Sequence, residues 1–205
     1  AGGYCALGGE GARLTQLSLW SADLTAPVGE DLGGLLAADG RLEEGDDGVR
    51  LIIPLADPWR ASALVRECRV RDVDAHIETD EHVTELRTDP APVLAELRER
   101  WVDGPDKVMP AGLELSAGLI RCWVIASGRP APVGYLLGLD PRTPELHQPL
   151  AAVCAAMGLA GSILGPRGGG PAVRIVGHRR CSRLAEMVGT PPPEAPAGQF
   201  PQPMH

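Results

Sequence analysis

The chain has 205 residues, enough for one large domain or two small ones with a proper core. Apolar residues make up 44% and charged residues 22%, as in ordinary globular proteins, but only 3% are aromatic and Phe200 is the single Phe, which argues against an aromatic platform for stacking single-stranded bases. The net charge is −8 and Lys107 is the only lysine, so any nucleic-acid contact has to come from a local patch of arginines.

In chain order, residues 1–15 are Gly-rich and read as loose, without the basic start and apolar run of a secretory leader. The cysteines (Cys5, Cys68, Cys122, Cys154 and Cys181) are odd in number and form no CxxC pair. They fit a reducing compartment, so the expected location is the cytoplasm. A helix is expected from Pro27 to Ala38, with Leu32, Leu35 and Leu36 on its apolar face and a stop at Gly40. A hairpin follows, whose strand 49–56 puts Val49, Leu51, Ile53 and Leu55 on one face. Asp57-Pro58 reads as an N-cap and first-turn proline opening a second helix. Residues 69–78 alternate as a strand, with Val73, Ala75 and Ile77 inward and Asp72, Asp74, His76 and Glu78 outward; 82–87 is its neighbour, and Asp89-Pro90 opens a third helix. The pattern then starts again. A helix covers roughly Leu113 to Ala126 and a strand 132–139. Thr143-Pro144 opens a helix closed by Gly158, 161–165 and 172–176 are strands, and His178 to Val188 is a helix stopped by Gly189. Residues 146–166 carry no Asp, Glu, Lys or Arg, but are too rich in Ala and polar residues for a membrane span and read as a buried helix followed by a strand. The Pro-rich residues 191–205 are expected to form a disordered tail.

The two halves align by residue. LGGLLAADG (32–40) leads through a hairpin to LADP (55–58), and IRCWVIASG (120–128) through a shorter one to GLDP (138–141); the glycines Gly40 and Gly128 are 88 residues apart and the aspartates Asp57 and Asp140 are 83 apart. This is an internal duplication of about ninety residues. The segment Leu32-Gly33-Gly34-Leu35-Leu36-Ala37-Ala38-Asp39-Gly40 resembles the LAGLIDADG motif of homing endonucleases. The order of elements resembles that family as well, as does the style of ELHQPLAAVCAAMGLAGSILG running into AVRIVGHRRCSRLAEMVG. The resemblance covers roughly residues 25 to 190. It implies an α/β (α+β) fold of two pseudo-symmetric αββαββα repeats, at 25–108 and 109–190, after a loose segment 1–24 and before the tail, with antiparallel or mixed sheets forming a saddle. It also implies two motif helices packed side by side, where close approach needs small residues four apart: Gly34 and Ala38 in one, Cys122 and Ala126 in the other. Gly40 and Gly128 are expected to end these helices in left-handed conformations.

In that family the last acid of each motif holds a divalent metal ion across the scissile phosphates. Asp39 stands at the first such position and Ser127 at the second, where a hydroxyl cannot replace a carboxylate as anchor for a hard cation. Ala37 and Ile125 occupy the positions of the earlier motif acid. The resemblance therefore implies a non-cleaving binding or regulatory module without a cofactor. The alternatives are a relative with residual nicking, dependent on Mg²⁺ at Asp39, or a small-molecule enzyme of unrelated α/β fold. The family lays DNA on the open face of its sheets. Arg50, Arg129, Arg167 and Arg174, with Arg179 and Arg180 at the start of the last helix, are the candidate contacts for duplex DNA or for a protein partner, and Arg183 adds to their cluster. From Asp72 through Leu86 there are six acids and no Lys or Arg, which is expected to repel phosphate in the first half. Asp74, His76 and Glu78, two apart on one strand face, read either as metal ligands or as a solvated acidic strand. A monomer with no membrane partner is expected.

Overall fold

The computed structural model describes residues 21–80, 83–168 and 170–202. The expectations for residues 1–20, Cys5 among them, lie outside the described residues.

A single 3₁₀ turn, Gly29–Leu32, leads into α1 (Gly33–Ala37), so the first helix is shorter and tighter than its apolar spacing predicts. The hairpin β1 (Arg41–Gly45) and β2 (Gly48–Pro54) follows, then α2 (Pro58–Arg69), β3 (Ala75–Thr79), β4 (Thr84–Thr88) and α3 (Pro92–Trp101). The small hairpin β5 (Val102–Asp103) and β6 (Asp106–Lys107) connects to α4 (Ala117–Ser127), β7 (Gly128–Pro130) and β8 (Tyr135–Gly138). A 3₁₀ turn at Pro144–Leu146 precedes α5 (His147–Ala156), and β9 (Gly161–Leu164), β10 (Ala172–Ile175) and α6 (His178–Val188) complete the chain of elements. The strands form two four-stranded sheets, β1-β2-β4-β3 and β7-β8-β10-β9, with every neighbouring pair antiparallel. The two sheets thus share one strand order. Among the described residues no helix is long and apolar enough to cross a membrane.

The predicted strand 69–78 is corrected at its start. Helix α2 runs on to Arg69 and closes in a turn in which the Val73 N–H donates to the Cys68 carbonyl at 3.1 Å, with Asp72 at φ 58°. Asp tolerates this left-handed position better than most residues, so no glycine marked the boundary in the sequence. The strand begins only at Ala75, directly after Asp74, and Asp72 lies in the turn and leaves its face. Asp57 also acts differently from a cap: its side chain makes no capping bond and pairs instead with Arg60, Oδ2 to Nε at 2.8 Å.

The core is aliphatic, with Leu32, Leu35, Leu36, Ile120, Cys122, Trp123 and Val124 fully or nearly buried. Helices α1 and α4 touch backbone to backbone. A Cβ on Gly34 would lie 2.1 Å from the Leu119 carbonyl oxygen and 2.7 Å from the Trp123 nitrogen, with Cys122 Cβ at 3.1 Å. Ala38 and Ala126 are buried beside the same seam. The terminal glycines have another reason than the one the motif suggests. Neither Gly40 nor Gly128 has positive φ. A Cβ on Gly40 would meet the Leu35 carbonyl at 2.4 Å, and one on Gly128 the Val124 carbonyl at 2.6 Å, so crowding against the last turn of each helix excludes a side chain there.

The Pro-rich C-terminal segment is the larger correction. Residues 190–202 lie against the body of the protein and do not form a disordered tail. Phe200 is 2% exposed, the Tyr135 hydroxyl donates to the Gln199 carbonyl at 2.9 Å, and Glu194 pairs with Arg66. Proline already limits the freedom of the unfolded segment, so one aromatic anchor is enough to hold it.

At the N-terminal ends of the paired helices a buried ion network joins the halves. Asp31 accepts from Arg71 at 3.0 Å and from the Ser116 hydroxyl at 2.5 Å. Glu67 accepts from Arg71 at 2.8 Å and from Arg121 at 2.7 Å, and Arg121 also reaches the carbonyls of Val188 and Thr190. Such a network fixes one pairing of elements more surely than it adds stability, because desolvation offsets most of the Coulombic gain.

Candidate functional site

The C-terminal ends of α1 and α4 come together. Ala38, Asp39, Ala126 and Ser127 line one cavity of about 400 Å³, with Asp57, Arg60, Arg129 and Gln199 completing its walls. A helix C-terminus exposes unpaired carbonyls and partial negative charge, so something positive has to meet it. At α4 that group is Arg60, which is 4% exposed. Its guanidinium donates to the carbonyls of Ile125 and Gly128, both at 2.6 Å, and of Val124 at 3.3 Å. At α1 the ammonium of Lys107 donates to the Leu36 carbonyl at 3.0 Å, and Arg142 donates to the Asp39 carbonyl at 3.1 Å.

The same cations hold the acids. Arg142 donates to Asp39 Oδ1 at 2.6 Å and to Asp140 Oδ1 at 3.1 Å, while Lys107 contacts Asp140 Oδ2 at 2.5 Å. Asp39, Asp140, Lys107 and Arg142 therefore form a quartet of zero net charge. Burial and the neighbouring Asp140 hold the Asp39 carboxyl above its ordinary value, against the pull of Arg142. Asp140 is held below its ordinary value: burial pushes it up, but the hydrogen bonds from Arg142 and Lys107 outweigh that. Ser127 lines the same cavity as Asp39, but its hydroxyl donates to the Gly138 carbonyl at 3.1 Å, and Gly138 has to be glycine because its Cβ would stand 2.8 Å from Ser127 Cβ. A divalent cation needs an excess of carboxylate oxygen. Here two protein cations pair with the two acids, so the quartet offers no such excess.

The second metal reading is not assembled either. Asp74 directly precedes β3, while Glu78 on β3 is paired through Oε2 with Arg87 Nε at 2.7 Å. His76 faces Glu78 at 3.3 Å. Among the described residues no group of three His, Cys, Asp or Glu side chains could hold a metal ion.

The sheet faces give the most informative geometry. Across the first sheet, Arg41 (β1), Ile52 (β2), Arg87 (β4) and His76 (β3) stand in one register row. Across the second, Arg129 (β7), Leu136 (β8), Arg174 (β10) and Ser162 (β9) stand in another. Each row reads arginine, aliphatic, arginine, polar, and each begins one residue after the motif glycine. Ile52 and Leu136 stay buried between their arginines, as expected when long stems cover an apolar surface. The predicted repulsion by the first half is reduced at two of its six acids, Glu78 and Glu85, which pair with bases outside the segment 72–86. Arg41 pairs with Glu43 and Glu85, and Arg87 pairs with Glu78 and Glu85. Arg50 pairs with Asp47 at 2.5 Å. The strands of the second sheet carry Arg129 and Arg174 and no acid. Arg167 is exposed in the turn before β10, and Arg179 and Arg180 are exposed at the start of α6.

Sequence reasoning missed Arg60, Lys107, Asp140, Arg142, Arg41 and Arg87. The paired Asp-Pro dipeptides pointed to Asp57 and Asp140, but nothing local to the sequence shows what they bind.

No protein-family model matches the chain, and no curated protein does. Among solved structures, the homing endonuclease I-WcaI bound to its DNA recognition sequence is similar over 82% of this chain and 84% of that one, with 12% identity and a TM-score of 0.56. Full-length DUF199/WhiA from Thermatoga maritima is similar over 81% of this chain and 56% of that one, with 12% identity and a TM-score of 0.55. At this identity the likeness defines the fold: the chain has a LAGLIDADG-like α/β fold with antiparallel sheets.

Proposed function

We propose that this chain is a non-cleaving LAGLIDADG-fold binding module that engages duplex DNA through the arginine rows of its sheets. The observation that carries the reading is the neutral quartet of Asp39, Arg142, Asp140 and Lys107, with Ser127 occupied by an internal hydrogen bond. The chain keeps the paired helices on which the fold depends, while the acid at the end of the first is ion-paired with its own Arg142. The likeness to an endonuclease bound to DNA supports a duplex as partner. The pairing of Glu78 and Glu85 with Arg41 and Arg87 lowers the acidity of the first sheet, and the strands of the second sheet carry Arg129 and Arg174 and no acid.

The test measures duplex binding by fluorescence anisotropy across a salt series, beside plasmid nicking with Mg²⁺. Binding is expected to weaken as salt rises, and Arg129→Ala and Arg174→Ala should each reduce the slope of log K against log salt by about 1. No nicking is expected. Nicking that Asp39→Asn abolishes would overturn the non-cleaving reading, and absence of binding at low salt would overturn the duplex as partner.

A further inference from the structure

On the helical side of the second half lies a groove of about 770 Å³, walled by Leu113, Leu115, Val153, Ala156, Met157 and Met187 and containing no strand residue. The groove has a counterpart in the first half. The turn after α5 repeats the turn after α2, with the Leu159 N–H donating to the Cys154 carbonyl at 2.9 Å and Gly158 at φ 78°. Aligned on that turn, Val153 and Met157 occupy the positions of Glu67 and Arg71. In the first half those two side chains take up much of the space with the buried ion network to Asp31 and Arg121, leaving a cavity of about 160 Å³. In the second half the positions are apolar, no network forms, and the space stays open.

One edge of this groove is positive. Arg179, Arg183 and Met187 are four residues apart on α6 and so share one face. Arg183 is fixed over the groove, with its Nε donating to the Met157 carbonyl at 2.5 Å and its stem against Gly158. Neither Arg179 nor Arg183 has a carboxylate partner among the described residues, whereas Arg71 and Arg121 in the counterpart are saturated. Glu114 lies on the opposite wall, so the positive edge is one-sided.

We infer that this groove docks an amphipathic helical segment of a partner protein, with its apolar face on Val153, Ala156 and Met157 and its acidic flank on Arg179 and Arg183. Met157 suits a helix face, because a thioether side chain repacks around varied Leu and Ile contours. The complementary charge is supplied by arginines that the fold itself leaves unneutralised. The surface is separate from the sheet faces, so it stands or falls independently of duplex binding.

The test pans the full chain against a displayed library of helical peptides about four turns long, then measures enriched peptides by anisotropy. Enriched sequences are expected to alternate Leu or Met at helical spacing with Asp or Glu. They should bind Arg179→Glu and, separately, Met157→Glu about tenfold or more weakly, with circular dichroism unchanged. Four results would each overturn the inference. These are no enrichment on the full chain; peptides that bind both variants as well as the parent; enrichment only after residues 1–20 are removed, which would assign the groove to the chain itself; and competition by a duplex whose own binding falls in Arg179→Glu, which would assign the arginines to nucleic acid.

Discussion

Replacing Gly34 by alanine tests the contact on which the arrangement of the two halves rests. The new Cβ would stand 2.1 Å from the Leu119 carbonyl oxygen, and the obstacle is backbone, not the movable tip of a side chain. To reach even 3.0 Å the helices α1 and α4 must part by about 0.9 Å. A gap of that size forfeits a quarter to a half of the dispersion attraction along the seam, where Leu35, Ile120, Cys122 and Trp123 are fully buried. Overpacking of this kind costs about 3 kcal/mol, the upper end of the usual range because the obstacle is backbone, and alanine returns about 1 kcal/mol through its better helix propensity. The net loss is about 2 kcal/mol, or about 4–8 °C in Tm for a chain of this size. The assay is urea and thermal unfolding followed by circular dichroism. Gly165→Ala is the control, since nothing lies within 4 Å of its added Cβ and its φ is ordinary; it should stay within about 0.5 kcal/mol of the parent. If Gly34→Ala matches Gly165→Ala, the helices do not touch through their backbones and the packing argument is wrong.

Two further outcomes follow from the helix ends. Arg60→Met removes the group that satisfies three carbonyls at the end of α4 and leaves them buried, so urea unfolding should show a loss of about 3–5 kcal/mol; a loss under about 1 kcal/mol would mean that water replaces the guanidinium. Because Asp140 is held below its ordinary value in the folded protein, its charged form contributes stability that is present above that ordinary value and is lost as pH falls through the lower, folded one. Asp140→Asn should therefore be less stable than the parent at neutral pH, with the difference closing as unfolding is measured at successively lower pH from about 5 to about 2; a difference that persists unchanged in acid would show that shape, not charge, is what the residue supplies.

The elements and the seam between them are legible from local pattern alone. Small residues at helical spacing, leucines on one face, the alternation of β2 and the repeated Asp-Pro dipeptides are all local signals, and each acts through neighbours a few residues away. Periodicity therefore sufficed to place the paired helices and most of the strands. The charge pairings come from long-range contacts. Arg142 meets Asp39 across 103 residues, Arg60 meets Gly128 across 68, and Arg41 meets Glu85 across 44. The outward face from Asp72 to Glu78 reads as acidic because the arginine that pairs with Glu78 lies on another strand, and the Pro-rich end reads as disordered because the surroundings of Phe200, Arg121 among them, come from residues far along the chain. An ion pair or a buried aromatic depends on which surfaces the fold brings within a few ångströms, and no spacing within one segment encodes that distance.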